Sequence, residues 1–310
     1  MRVVVSTSAL QTATTKLRAD PLARRCLRVW QCMDARWFQI VFLLSFLLVG
    51  AWARDFALRP LQVLLAVGAA VLTQAAWQWA LDLPTKTQWG GYLSALVTSL
   101  GLSILVRAES DWVHPLLALL AISSKYLIRL GPPSCKSHVL NPANFAAFLA
   151  WAWMPGAWLS PAQWGSESLL ALWFIALGGL VTQRIQRRGV SLAFLSAWGV
   201  LLAARLLWLG YTWNPGAAMW LQQISSGAVL LFAFFMVSDP MTTPQHPRAR
   251  MAYALLVALA AFVWQYVWYQ PHGLIGMLFV CSWTVPLWNQ AWPRPRFAWE
   301  GTAPVRNSPA

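Results

Sequence analysis

Residues 226–250 read SGAVLLFAFFMVSDPMTTPQHPRAR, and the chemistry they offer is concentrated where the apolar run ends. There Asp239-Pro240 is followed by the hydroxyls of Thr242 and Thr243 and by a basic turn. An acid in that place has two uses. It can close a helix terminus against Arg248 or Arg250, or it can present a carboxylate, with the threonine hydroxyls beside it, to a ligand. Pro240 stops the helix either way and leaves backbone groups to be satisfied. A second group stands at Asn141-Pro142, with His138 just before it. Asn as N-cap and Pro at the first helical position start a helix, and the free N–H groups of such a start suit an anionic or polar ligand. Lys125, Arg129 and Lys136 cluster near it and would favour a phosphate. Snorkelling to lipid headgroups is the other use for Lys125 and Arg129. The sets Ser94/Thr98/Ser103 and Gln222/Ser225/Ser226/Gly227 read as faces for close helix packing, and Arg205 as a side chain snorkelling outward.

Other chemistries find no support. Cys26, Cys32, Cys135 and Cys281 are scattered, with no CxxC pair and no histidine at ligand spacing, so neither a disulfide frame nor a zinc or iron–sulfur site is expected. Nucleophilic triads, HExxH, glycine-rich phosphate loops and paired carboxylates are missing. With nine acids in 310 residues, intramembrane hydrolysis is not expected, and no catalytic or metal-ligating residue is assigned.

The elements that must position these residues follow from composition. The chain is 58% hydrophobic and 10% charged, with 22 tryptophans. A soluble domain of this size could not hide that much apolar surface, so lipid is the expected solvent. The net charge of +14 sits in short clusters between apolar segments, as in cytoplasmic loops, and not on a face with interleaved exposed aromatics; nucleic acid is not an expected partner. With about 20 residues per span as the ruler, ten segments emerge: 37–53, 60–81, 91–107, 112–130, 141–155, 167–184, 190–210, 217–238, 249–269 and 272–291. Placing both termini in the cytoplasm puts Lys86, Arg129–Lys136, Arg184–Arg188, Arg248/Arg250 and Arg294/Arg296 inside, as the positive-inside rule demands. The expected layout is a basic tail (1–36), a membrane domain (37–291) and a C-terminal tail (292–310).

An internal echo organises the membrane domain. SALVTSLGLSILVR (94–107), a full span and NPANFAAFLAWAW (141–153) are matched by SGAVLLFAFFMVSDP (226–240), a full span and QPHGLIGMLFVCSW (270–283). Five spans per half give two inverted repeats, about 37–155 and 167–291, with a binding site expected between them. The expected fold class is an all-α integral membrane protein of about ten helices, some short or broken.

The stretch from Ser226 to Tyr253 resembles the second signature of the RnfD/NqrB family, membrane subunits of Rnf complexes and of the sodium-pumping NADH:quinone oxidoreductase. SALVTSLGLSILV with NPANFAAF resembles the first signature, and GGLVTQRIQRRGVSLAFLSAW (178–198) the connection between helices six and seven. Asn141 and Pro142 match one motif; Asp239, Pro240 and Thr243 match the other. The resemblance implies flavin (FMN or riboflavin), electron transfer across the inner membrane with partner subunits, and in some relatives coupled ion movement. Together with the residues beside these motifs, it makes Asn141, Pro142, Ser226, Gly227, Asp239, Thr242 and Thr243 the cofactor candidates; Lys125 and His138 are anion contacts by their place near the Asn141-Pro142 helix start. Relatives attach FMN to a threonine in an acid-led motif near the sixth helix. Here that place reads PAQWGSESLLAL (161–172), with Ser168 nearest, so non-covalent binding is the expectation. The competing reading is a carrier or channel for an ion or small molecule, without redox chemistry.

Overall fold

The structure, a computed structural model, describes residues 33–53, 59–131, 136–160 and 168–299. Most of the expected N-terminal tail, much of the C-terminal one, residues 161–167, Cys26, Cys32, Cys135 and the side chain of Ser168 lie outside the described residues.

Each of the ten apolar stretches is helical. The first seven are α1 (Ala35–Ala53), α2 (Pro60–Ala80), α3 (Thr85–Leu105), α4 (Val113–Leu127), α5 (Pro142–Trp153), α6 (Ser168–Arg184) and α7 (Arg188–Trp208). The eighth is broken into α8 (Trp213–Ile224) and α9 (Gly227–Leu231), which runs into a π-helical turn at Phe232–Met236; the two parts meet at 45°. The ninth, α10 (Pro247–Phe262), also ends in a π turn, Val263–Val267, and the tenth divides into α11 (Gly273–Ser282) and α12 (Val285–Ala291). Proline opens α2, α5 and α10, where its preset φ helps and its missing N–H costs nothing.

The bend in the eighth segment has a local cause. Trp220 donates its indole N–H to the Gly199 carbonyl (2.7 Å), and a Cβ on Gly199 would lie 2.8 Å from the Ile224 side chain, so α8 packs against α7 at a glycine. Past Ser225–Ser226 the chain turns inward. Val229 through Met236 are all buried, with Phe235 stacked on Phe42 (4.5 Å between ring centres) and Phe174 edge-on to Phe42.

Among the described residues, four helices are long and apolar enough to cross a bilayer, namely α1, α2, α7 and α10 with its π turn, and five if the bent α8–α9 pair counts as one span. Bulky apolar side chains point outward, and the most exposed tryptophans sit at helix ends. Trp52, Trp208 and Trp213 lie at one end of the bundle and Trp79 and Trp89 at the other, the distribution of two interfacial belts. The chain is an all-α membrane protein. Buried Gln62, Gln74 and Gln78 on α2 act as polar glue, reaching the Ala108 carbonyl, the Tyr126 hydroxyl and the Gln88 carbonyl.

The two ends differ. At one, β1 (Val106–Ala108) pairs antiparallel with β4 (Ala157–Leu159), and Arg59 reaches the Glu109 carbonyl and Asp111. At the other, β2 (Arg129–Leu130) pairs with β3 (Ser137–His138), Arg36 holds the Gly90 carbonyl in the first turns of α3, and Arg187 and Arg250 hold the Pro240 and Pro244 carbonyls of the loop before α10. We call this second end the arginine-bearing face.

Candidate functional site

Two cavities share the bundle. The first, about 150 Å³, opens toward the arginine-bearing face between α1, α3, the start of α5 and the π turn 232–236. Asn141 joins the two motifs there. Its Oδ1 accepts the Asn144 N–H (3.0 Å), which caps α5, and its Nδ2 donates to Asp239 Oδ2 (3.1 Å). The Asp239 carboxylate also accepts the Met241 N–H (3.0 Å) and the Thr242 hydroxyl. Thr243 Oγ1 donates to the Asp239 carbonyl (2.8 Å), closing the turn after the broken helix. Burial pushes the Asp239 carboxyl above the usual carboxylate range, against the pull of these donors. Asn141, Pro142, His138 and Asp239 all line this cavity; Thr242 and Thr243 stand behind it, buried.

Two sequence expectations are corrected. Asp239 pairs with neither Arg248 nor Arg250. The Arg250 guanidinium is taken by the Pro244 and Gln245 carbonyls (3.0 and 2.6 Å), which the proline-interrupted loop leaves unpaired close to it. Lys125 does not snorkel: 8% exposed, it donates Nζ to Ser94 Oγ (3.0 Å) because the last turn of α4 faces the bundle interior. Lys125 therefore stands behind Ser94, outside the cavity lining. The Arg205 guanidinium lies over the Tyr266 ring, 4.6 Å from the centre. His138 sits in β3, where burial first and then Lys125, Arg129 and Arg296 hold its imidazole down at about 3. It is neutral at physiological pH.

The second cavity, about 630 Å³, lies toward the opposite face. Its polar lining is Gln222, Gln223, Ser226, Gln265, Tyr266 and His272, and Trp198 and Phe232 supply aromatic walls. Both π turns contribute, one with Phe232 and Met236 and the other with Gln265 and Tyr266; π turns recur at functional sites. Trp198 is 1% exposed, and its indole N–H has no partner among the described residues. A buried N–H without an acceptor is costly, and this one borders an open volume. Ser226 lines the cavity, and Gly227 starts α9 just beyond it. Leu105 and Met236 line both cavities, so only apolar side chains part the two at that point.

Trp198, Gln265 and His272 escaped the sequence reading. Gln265 alone carried a signal, as a polar side chain inside a span. Trp198 is one tryptophan among 22, and His272 takes its place through a left-handed backbone (φ 58°) that spacing does not announce.

A model of the NQR2, RnfD, RnfE family matches residues 134–297, just over half of the chain, from the loop before α5 to the segment after α12. The chain belongs to this family. The matched stretch contains the Asn141–Asp239 bond and most of the second cavity's wall. Among curated proteins, the D subunit of the ion-translocating oxidoreductase complex of Escherichia coli strain SMS-3-5 is 28% identical over 155 residues, which is 50% of this chain and 38% of the relative. The protein of the same name from Escherichia coli O1:K1 is 30% identical over 155 residues, with the same coverage. The match thus spans well under half the length of these relatives.

Proposed function

We propose that this family member is an RnfD-type membrane subunit of an ion-translocating oxidoreductase, and that it holds flavin (FMN or riboflavin) non-covalently in the second cavity. The observation that carries the reading is the unpartnered Trp198 indole N–H at the edge of a 630 Å³ space walled by aromatic rings and side-chain amides. Ligand cavities run from about 300 to 1,000 Å³; the second cavity falls within that range and the first, at about 150 Å³, below it. Trp198 would donate to a ring carbonyl, Gln222, Gln223 and Gln265 would meet the polar edge, and Phe232 and Tyr266 would cover the apolar face. A bound flavin supplies one- or two-electron transfer. Electrons would come from partner subunits, since the sequence carries no nicotinamide or iron–sulfur motif. The first cavity suits the ion: Asp239 supplies charge, Asn141 holds it in place, and Leu105 with Met236 limits passage between the cavities.

Orientation follows from charge. Arg184, Arg187, Arg188, Arg248 and Arg250 lie at one face, and this clustering supports assigning that face, and with it both termini, to the cytoplasmic side of the inner membrane. The same pair of adjoining cavities also supports a second reading, a carrier without redox chemistry.

Purification in mild detergent and a visible spectrum before and after acid precipitation separate the two. Yellow absorbance released into the supernatant is expected. Colour kept in the pellet would mean covalent attachment. A preparation still colourless after incubation with FMN and riboflavin would overturn flavin binding in favour of the carrier.

A further inference from the structure

A third cavity, about 310 Å³, opens on the arginine-bearing face between the β2–β3 hairpin, α12 and the extended segment 293–299. Its lining includes Ser137, His138, Asn289, Arg294 and Arg296, and no carboxylate among the described residues. What sets it apart is how its cations are used. Three other guanidinium groups of this face are committed, while Arg129, Arg188 and Arg248 line none of the three cavities. Arg187 donates to the Pro240 carbonyl and Gln245 Oε1, Arg250 to the Pro244 and Gln245 carbonyls, and Arg36 to Asp34 and the Gly90 carbonyl. These arginines are structural staples. Arg294 and Arg296 take part in no hydrogen bond or ion pair among the described residues.

The neighbours of these two arginines raise the cost of leaving them so. Arg294 stands within electrostatic range of Arg250, and Arg296 within that of His138. Two further hydrogen-bond donors line the cavity with them. Asn289 spends its Oδ1 on the Gln245 N–H (2.9 Å), which leaves its amide N–H groups for a ligand, and Ser137 adds a hydroxyl. The wall behind is fixed: Gln245 is 7% exposed and donates Nε2 to the Pro240 and Thr243 carbonyls, while its Oε1 accepts the Phe297 N–H (3.1 Å) and so ties down the segment carrying both arginines. Two uncommitted forks, an amide and a hydroxyl around one volume match an oxyanion with several acceptor oxygens.

We propose that this cavity is a binding site for a phosphate-bearing ligand, held by Arg294 and Arg296 with Asn289 and Ser137. A free phosphate compound and the headgroup of an acidic phospholipid carry the same group. The site is separate from both cavities assigned above, although His138 lines it and the first cavity alike.

The full chain in neutral detergent is titrated calorimetrically with inorganic phosphate, and in parallel with chloride at matched ionic strength. It is also reconstituted with phosphatidylglycerol/phosphatidylcholine mixtures, and the lipids retained are counted by native mass spectrometry. Either saturable phosphate binding without a chloride counterpart or selective retention of phosphatidylglycerol is expected; the first identifies a soluble ligand and the second a lipid. Arg294→Gln/Arg296→Gln should weaken whichever signal is seen at least tenfold. Arg248→Gln, which removes an exposed charge from the same face, should leave it unchanged. Should the double variant fail to fold, Arg294→Gln alone, at an exposed position, should weaken the signal at least threefold. A wild-type protein that binds neither probe, or variants that bind as the wild type does, would overturn the site.

Discussion

The first and second cavities divide the labour of a membrane protein by composition. The first is small and closes around Asp239, whose carboxylate is held by Asn141, the Met241 N–H and Thr242. The second is four times larger, with rings and amides for walls and no charged side chain among the described residues that line it. A charge in a lipid-bound bundle needs fixed partners at close range, so its site shrinks around it. A neutral ring needs area and a few directed hydrogen bonds, so its site stays open. The π turn at Phe232–Met236 serves both, placing Met236 on the wall of each cavity.

The sharpest way to break this contrast is at the charge. Asp239→Ala strands the Asn141 amide and the Met241 N–H, each at a cost of about 1–3 kcal/mol when left buried and unpaired. A large drop in the thermal unfolding midpoint in detergent is expected, together with loss of any ion uptake into proteoliposomes. Asp239→Asn should recover most of the stability and none of the uptake. Equal midpoints for Asp239→Ala and wild type would mean that the carboxylate does not hold the 239–243 turn.

Plugging the passage comes next. Leu105→Trp adds bulk where the two cavities meet and should cut ion flux at least tenfold while flavin retention on gel filtration stays within twofold. Flux and flavin lost together would show that the cavities are not separable. A smaller effect is expected at the ring: Trp198→Phe keeps the aromatic wall and removes one donor, worth about 1 kcal/mol net, or roughly a fivefold weaker flavin affinity by fluorescence titration. No change would move the ring elsewhere.

A separate prediction concerns pH. His138 is held at about 3 when folded, against about 6.5 unfolded, so the unfolded state binds the proton first. Its contribution is present above about pH 6.5 and is lost as pH falls toward 3. Between pH 6.5 and 4 the unfolding midpoint should therefore fall more steeply for wild type than for His138→Gln. Identical slopes would place the acid sensitivity in other groups.

Much of the helical frame was legible because lipid imposes a simple rule, an apolar run of fixed length. The segment 60–81 is realised as Pro60–Ala80, and 190–210 as Arg188–Trp208. Where packing overrides length, legibility fails. The run 217–238 shows an interruption in its polar first half, Gln222 to Gly227, but nothing in it announces that α8 packs on Gly199 of α7 beside the bend at Ser225–Ser226. The split at Trp283–Thr284 inside 272–291 was equally silent. At the site, Asn141 and Asp239 were readable because Asn-Pro and Asp-Pro interrupt apolar runs. That they hydrogen-bond each other across 98 residues was not, since no local pattern encodes a partner in another segment. Lys125 shows the reverse error. Its position near a span end reads as snorkelling, and only the burial of that end against α3 reveals otherwise.

The 98-residue separation of Asn141 from Asp239 also sets a schedule. At about 5–20 residues per second of synthesis, the acid emerges some 5–20 s after the asparagine. During that interval Asn141 can satisfy its oxygen locally, through the Asn144 N–H three residues on, but not its amide. The first half must therefore enter the bilayer with an unfinished polar seam. Insertion of α9 and its π turn seals it, so any delay between α5 and α9 prolongs exposure of that seam to quality-control proteases.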